Sequence, residues 1–169
     1  NDFLNVSRLQ TGRFAIDRQK IDIARVLRDE ISLLQVVADQ RSVELNVKID
    51  KKIPLATIDS EKIRQVMLNM IDNAIYYSNP HAKVTITLKN SDKVIEFTVK
   101  DSGIGVPKAE QTRLFSKFFR GANARKRRPD GTGVGLFLAK KVVLLHDGEM
   151  IFESEEGKGS TFGFKLPVR

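Results

Sequence analysis

The chain has 169 residues, 41% hydrophobic and 30% charged, with a net charge of +8 and no cysteine. That is material for one domain with a sizeable core, and it excludes disulfides, thiolate metal sites and cysteine nucleophiles. No apolar run approaches the roughly 18 residues of a membrane span, and the opening NDFLNVSRLQ lacks a signal-peptide core. The chain opens without methionine and reads as a piece of something longer. Its positive charge fits either simple solubility or a phosphate-rich partner. The clearest basic run, RKRR at 125–128, has no interleaved aromatics for base stacking, which favours a small anion or a solvated loop over nucleic acid.

In chain order, residues 1–11 read as the end of a helix stopped at Gly12, and 13–20 as an edge strand. From 21 to about 41, Ile23, Val26, Leu27, Ile31, Leu34 and Ala38 recur at helical spacing. Leu45, Val47 and Ile49 alternate as a strand, 51–54 turns, and 55–58 is a short strand. A helix starts at Asp59 or Ser60, both good N-caps, and runs to about 78, with Pro80 just beyond. Strands at 83–89 and 94–100 flank a turn at 90–92. An apolar helix at 136–145 carries His146 in its last turn and stops at Gly148. Strands at 149–154 and 160–168 close the chain around the turn at 156–159. Helices alternating with hairpins predict an α+β two-layer sandwich, a mixed sheet of about five strands covered on one face by three helices.

Three stretches carry chemical signals. In the helix at 60–78, Asn69, Asn73 and Tyr76 line one edge of the buried face, and Tyr77 falls within the apolar arc. Asparagine is a mediocre helix former. Two of them, one turn apart, either satisfy neighbouring backbone or offer amide oxygens, which suit Mg²⁺ held partly by phosphate. The stretch 101–105 (DSGIG) follows a strand, and is either an ordinary turn or a place where Asp101 meets an exocyclic amine while glycine backbone admits a flat base. The stretch 131–135 (GTGVG) precedes a helix whose free N–H groups suit phosphate. It matches neither the dinucleotide fingerprint nor the Walker A loop, so it is a phosphate cradle of another type or a flexible helix entry.

LNMIDNAIYYS at 68–78, DSGIG at 101–105, LFSKFFR at 114–120 and GTGVGL at 131–136 together closely resemble the N, G1, F and G2 boxes of sensor histidine kinases. These belong to the ATPase/kinase superfamily that includes gyrase, the Hsp90 chaperones and the MutL proteins. The resemblance spans nearly the whole chain. It implies that residues 1–12 end the dimerisation and phosphoacceptor helix, and that 13–169 form an ATP-binding catalytic domain with a mobile lid at about 106–130. ATP and Mg²⁺ are the implied cofactors. Asn73 would ligate Mg²⁺ with Asn69 nearby, Tyr77 would line the pocket, and Asp101 would take the adenine amino group. Gly103, Ile104 and Gly105 would admit the base, and Arg120, beside Phe119, would approach the γ-phosphate. Gly131, Thr132, Gly133, Val134, Gly135 and Leu136 would hinge the lid and hold phosphate, and Thr161 would support Asp101 through water.

One departure stands out: the N box usually reads NAxKY, and Tyr76 replaces the lysine that reaches phosphate. Position 69 is Asn, where hydrolytic superfamily members carry a water-activating Glu, which favours phosphotransfer. Neither His81 nor His146 sits in a phosphoacceptor setting, so the acceptor lies elsewhere and this piece alone binds ATP without phosphorylating itself. The implied partners are the phosphoacceptor domain, within a homodimer, and a downstream response regulator, with no nucleic acid. The implied setting is the cytoplasmic part of a membrane-bound bacterial sensor. The alternatives are a hydrolytic ATPase of the same fold and a degenerate binding module.

Overall fold

The computed structural model describes residues 15–116, 119–121 and 135–168. In order come β1 (Gln19–Ile21), α1 (Ile23–Gln40), β2 (Glu44–Ile49), β3 (Ala56–Ile58), α2 (Ser60–Tyr77), β4 (Lys83–Ser91), β5 (Val94–Asp101), a 3-10 helix (Lys108–Arg113), α3 (Gly135–Leu145), β6 (Glu149–Glu155) and β7 (Gly159–Pro167). Five strands form one mixed sheet in the order β2-β4-β5-β7-β6, with β2 parallel to β4 and the other pairs antiparallel. This is the α+β sandwich expected from the sequence.

Alternation decides which face is covered. Val84, Ile86 and Leu88 on β4, Ile95, Phe97 and Val99 on β5, and Phe164 and Leu166 on β7 are all buried. Their in-between neighbours Thr85, Thr87, Glu96, Thr98 and Lys100 are polar and more exposed. The three α-helices among the described residues pack on the apolar side, α2 against β4, β5 and β7, with α1 and α3 flanking it. Phe97 and Phe164 stack at 5.1 Å in the middle of the sheet. Full burial of such side chains contributes about 2–3 kcal/mol each.

Two details differ from the sequence reading. The β4–β5 ladder extends to Ser91 opposite Val94, so the turn is Asp92-Lys93, with φ of 46° and 65°, rather than 90–92. Two successive left-handed residues match the twist of a tight hairpin. Of the edge strand expected at 13–20, 13–14 lie outside the described residues, 15–18 are irregular, and only Gln19 and Lys20 are in a strand, the three-residue β1, which pairs with β3 in a separate two-stranded sheet.

Two buried polar groups pin the helices. Glu30 on α1 is 3% exposed and accepts from Arg64 on α2 at 3.0 Å. Arg64 also bonds Glu61, and these contacts hold its guanidinium charged and the Glu61 carboxyl below its ordinary value. At the start of α2, Asp59 caps Lys62 N–H at 3.1 Å and also accepts from Asp17 N–H at 2.9 Å. His146, 4% exposed, closes the same corner: its Nε2 accepts from Asp59 N–H at 3.0 Å, and its Nδ1 donates to the Val142 carbonyl at 2.7 Å. Burial pushes its pKa below the ordinary value and keeps it neutral.

Candidate functional site

Helix α2 is the spine of the site. Asn69, Asn73 and Tyr76 share its edge, and both ends of that edge meet backbone from other elements. At the C-terminal end, Gly103 lies so close that a Cβ there would overlap the Tyr77 carbonyl and come within 3.0 Å of Asp101 Oδ1. At the other end, a Cβ on Gly135 would sit 2.6 Å from Asn69 Oδ1. The N-terminus of α3 therefore abuts Asn69, and the 101–105 loop abuts Tyr77. The Asn69 Nδ2 atom is buried and lacks a hydrogen-bond partner among the described residues. Asn73 and Tyr77 are half-buried between these two ends.

Asp101 ends the central strand β5 in phase with its buried residues and is 8% exposed. Burial raises its carboxyl above the ordinary value, and the N–H groups of Gly103 and Ser160 partly offset that. Gly103 N–H donates to Oδ1 at 2.9 Å. The register places Ser160 opposite Asp101, and Ser160 Oγ lies 2.8 Å from Ser154 Oγ. Ser154 in turn donates to the Gly159 carbonyl at 3.0 Å and accepts from Val106 N–H at 2.8 Å. Gln111 Nε2 donates to the carbonyls of Val106 at 3.0 Å and Ser154 at 3.1 Å, and Gly157 N–H donates to Ile104. The loop after Asp101 is thus tied at several points to the β6–β7 hairpin. Gly105 has φ +65°, which only glycine adopts without strain.

This corrects one sequence-level assignment. Thr161 pairs with Lys100 and Glu153, one residue out of phase with Asp101, and so lies on the opposite face of the sheet. Ser160 holds the position expected of Thr161. Phe162, Phe164 and Leu166 alternate in the sequence, and counting back from them puts Ser160, not Thr161, on the buried face.

Other expected residues are placed as follows. Phe119 and Arg120 are half-buried, with the Arg113 guanidinium 4.8 Å from the Phe119 ring. Phe115 packs edge-on against Phe152 at 5.9 Å and Phe162 at 6.5 Å, anchoring the segment after the 3-10 helix on β6 and β7. Leu136 is half-buried in the first turn of α3. Gly131, Thr132, Gly133 and Val134, together with residues 1–12 and the parts 117–118 and 122–130 of the expected lid, lie outside the described residues. Tyr76 carries a neighbour that sequence alone did not reveal. The Arg41 guanidinium, from the end of α1, lies 4.2 Å from its ring centre, and Arg41 Nη2 donates to the Tyr76 carbonyl at 3.3 Å. No spacing rule links positions 41 and 76, because the contact is made by helix packing.

Chemically, the groove offers a buried carboxylate and glycine backbone at one end, and amides with a helix N-terminus at the other. The first suits a planar base bearing an amine, the second suits phosphate. The Asn69 Nδ2 atom, unpartnered among the described residues, and the buried Asp101 carboxylate fit such a ligand. No cluster of three or more His, Asp or Glu side chains able to hold a metal occurs among the described residues. A cation at Asn73 would therefore take much of its coordination from phosphate oxygens, a donor set that fits Mg²⁺.

Comparison with known proteins agrees with this geometry. Residues 58–169 match the family described as histidine kinase-, DNA gyrase B- and HSP90-like ATPase. The sensor histidine kinase WalK of Bacillus subtilis is 34% identical over 171 residues, an alignment covering all of this chain and 28% of WalK. The circadian input-output histidine kinase CikA of Synechococcus elongatus is 32% identical, over 99% of this chain and 22% of CikA. The chain thus spans less than a third of either relative. Among solved structures, full-length ShkA in complex with AMPPNP superposes with a TM-score of 0.85 at 26% identity, over 99% of this chain and 35% of that one. The chain belongs to the histidine kinase-, DNA gyrase B- and HSP90-like ATPase family, and its counterparts there are the ATP-binding domains of sensor histidine kinases.

Proposed function

We propose that the chain binds ATP with Mg²⁺ along the α2 edge and donates the γ-phosphate to a histidine on another domain of a longer protein. The observation that carries this is the pairing at the two ends of the Asn69–Tyr77 edge of α2: buried Asp101 with Gly103 against Tyr77, and Gly135 against Asn69. Asp101 would accept from the adenine amino group, with Ser160 and Gly103 N–H holding its carboxylate in place. Tyr77 and Ile104 would flank the base and ribose. Asn73 would hold Mg²⁺, which when bound neutralises phosphate charge. Arg120, beside Phe119, would reach the γ-phosphate, and residues 131–136 would cover the phosphates.

Two features support transfer over hydrolysis. Asn69 is an amide and cannot deprotonate water, so no general base occupies that position. His146 engages both ring nitrogens in buried hydrogen bonds, and His81 sits in a turn at φ 69°, so neither is set up as the phosphoacceptor. The acceptor would lie on a dimerisation domain within a homodimer. A response regulator would act downstream, as the kinase ThkA was crystallised with the response regulator TrrA. The whole would form the cytoplasmic part of a membrane-bound sensor. No helix among the described residues is long and apolar enough to cross a membrane.

Titration calorimetry with AMPPNP and Mg²⁺ tests the binding step, with one saturable site expected. Steady-state ADP release by this chain alone would replace phosphotransfer with the hydrolytic reading.

A further inference from the structure

We infer that Arg41, standing on Tyr76, supplies the positive charge toward the nucleotide phosphates that residue 76 itself lacks. The inference rests on the nucleotide reading above and adds a binding residue from α1, outside the four motif boxes.

Tyr76 shares the α2 edge with Asn69 and Asn73, three residues beyond one and seven beyond the other. A long cationic side chain at 76 would project along that edge. Instead the ring carries the Arg41 guanidinium at 4.2 Å, which puts a positive charge beside residue 76 although its own side chain has none. A guanidinium held against an aromatic face keeps its charge and directs its N–H groups past the ring rim.

No Asp or Glu pairs with Arg41 among the described residues, and what faces its charge there is the Tyr76 carbonyl at the C-terminal end of α2. Arg41 Nη2 is spent on the Tyr76 carbonyl, and Nε is buried without a partner among the described residues. By contrast Arg64, the other arginine joining α1 to α2, is held by two carboxylates. A half-buried guanidinium with no carboxylate partner among the described residues, standing on a residue of the groove edge, has the chemistry of an anion receptor.

Its place along the groove fixes which part of the ligand it serves. The base end lies at Tyr77 and Gly103, and the far end at Asn69 and Gly135. Tyr76 is next to the base end, so Arg41 serves the ribose-proximal phosphates, which ADP and ATP share.

The test is calorimetry on the full chain with AMPPNP, ADP and adenosine, each with Mg²⁺. Arg41→Gln should weaken AMPPNP and ADP by about tenfold, the value of one charge-assisted contact, and leave adenosine unchanged. Tyr76→Lys in the Arg41→Gln background should restore the ADP affinity, because the ammonium then comes from α2 itself. A purely structural role for Arg41, as a cap on the α2 carbonyl, would weaken all three ligands alike or only lower the melting temperature. Either result overturns the inference, as does failure of Tyr76→Lys to restore ADP binding. If the unsubstituted chain binds neither AMPPNP nor adenosine, the nucleotide reading itself is wrong and the inference goes with it.

Discussion

Replacing Asp101 by Asn should separate ligand binding from folding. Burial holds the Asp101 carboxyl above its ordinary pKa, so the folded state keeps this proton more tightly than the unfolded chain. A folded-state pKa raised above the unfolded value contributes stability below the unfolded value, near 3.8, that is lost as pH rises through the folded value. At pH 7 the ionised carboxylate is therefore a net cost to the fold. Asn removes that charge and keeps an oxygen to accept from Gly103 N–H, now at 2.9 Å. It loses part of the acceptor capacity facing Ser160, a smaller influence than burial. Asp101→Asn is thus expected to leave unfolding free energy unchanged or raise it by up to about 1 kcal/mol. For the nucleotide, the same change puts a donor where an amine needs an acceptor. Losing a buried charge-assisted bond costs about 1.5–3 kcal/mol, a ten- to hundredfold rise in Kd. Urea unfolding at pH 7 and calorimetry with AMPPNP read the two effects independently. A variant that binds AMPPNP like the parent refutes the base assignment. One that loses more than about 2 kcal/mol of stability refutes the account of the carboxylate.

Three further outcomes follow from the packing. Arg64→Leu strands the Glu30 carboxylate, whose side chain is 4% exposed, and should cost about 3 kcal/mol in urea unfolding, while Glu30→Leu with Arg64→Leu should recover most of it. Because His146 has a lowered folded pKa, its stability contribution is complete above about 6.5 and declines as pH falls through that value, by at most about 1.4 kcal/mol per pH unit. Denaturation between pH 7.5 and 5.5 should show this slope, and His146→Gln should flatten it. Gly135→Ala places a Cβ 2.6 Å from Asn69 Oδ1 and should weaken AMPPNP roughly tenfold by displacing the start of α3, with the melting temperature nearly unchanged because alanine favours the helix.

Much of the fold was legible because its signals are local. The alternation in β4, β5 and β7 and the helical spacing of α1 and α2 appear within windows of a dozen residues. The pairing of β1 with β3 was not legible. Each is three residues long, too short to alternate, and their register is a long-range matter of the corner where Asp17 and His146 meet Asp59. The site divides the same way. Asp101 and the glycines stand out by type and order, whereas Arg41 reaches Tyr76 only because α1 and α2 run side by side, Glu30 meeting Arg64 and Arg41 meeting Tyr76 in the same direction. That Ser160 rather than Thr161 shares a face with Asp101 follows from the two-residue period of β7, a signal present in the sequence.

Buried polar groups separate scaffold from site by how well they are satisfied. Glu30 has its arginine, and His146 uses both ring nitrogens. Each closes a seam between elements and needs nothing more. Along the α2 edge the pattern reverses. Asp101 is buried with its carboxyl raised despite two backbone donors, and among the described residues Asn69 Nδ2 and Arg41 Nε have no hydrogen-bond partner and Arg41 no carboxylate partner. A buried polar group left unmatched costs about 1–3 kcal/mol. Folding alone gives no reason to gather such costs along one helix edge. A ligand with an amine at one end and anionic oxygens along the rest would match each of these groups in turn. The hydrogen-bonding capacity left along this edge thus points to the same class of ligand as the motifs, and Arg41 adds to it a group that the motifs do not contain.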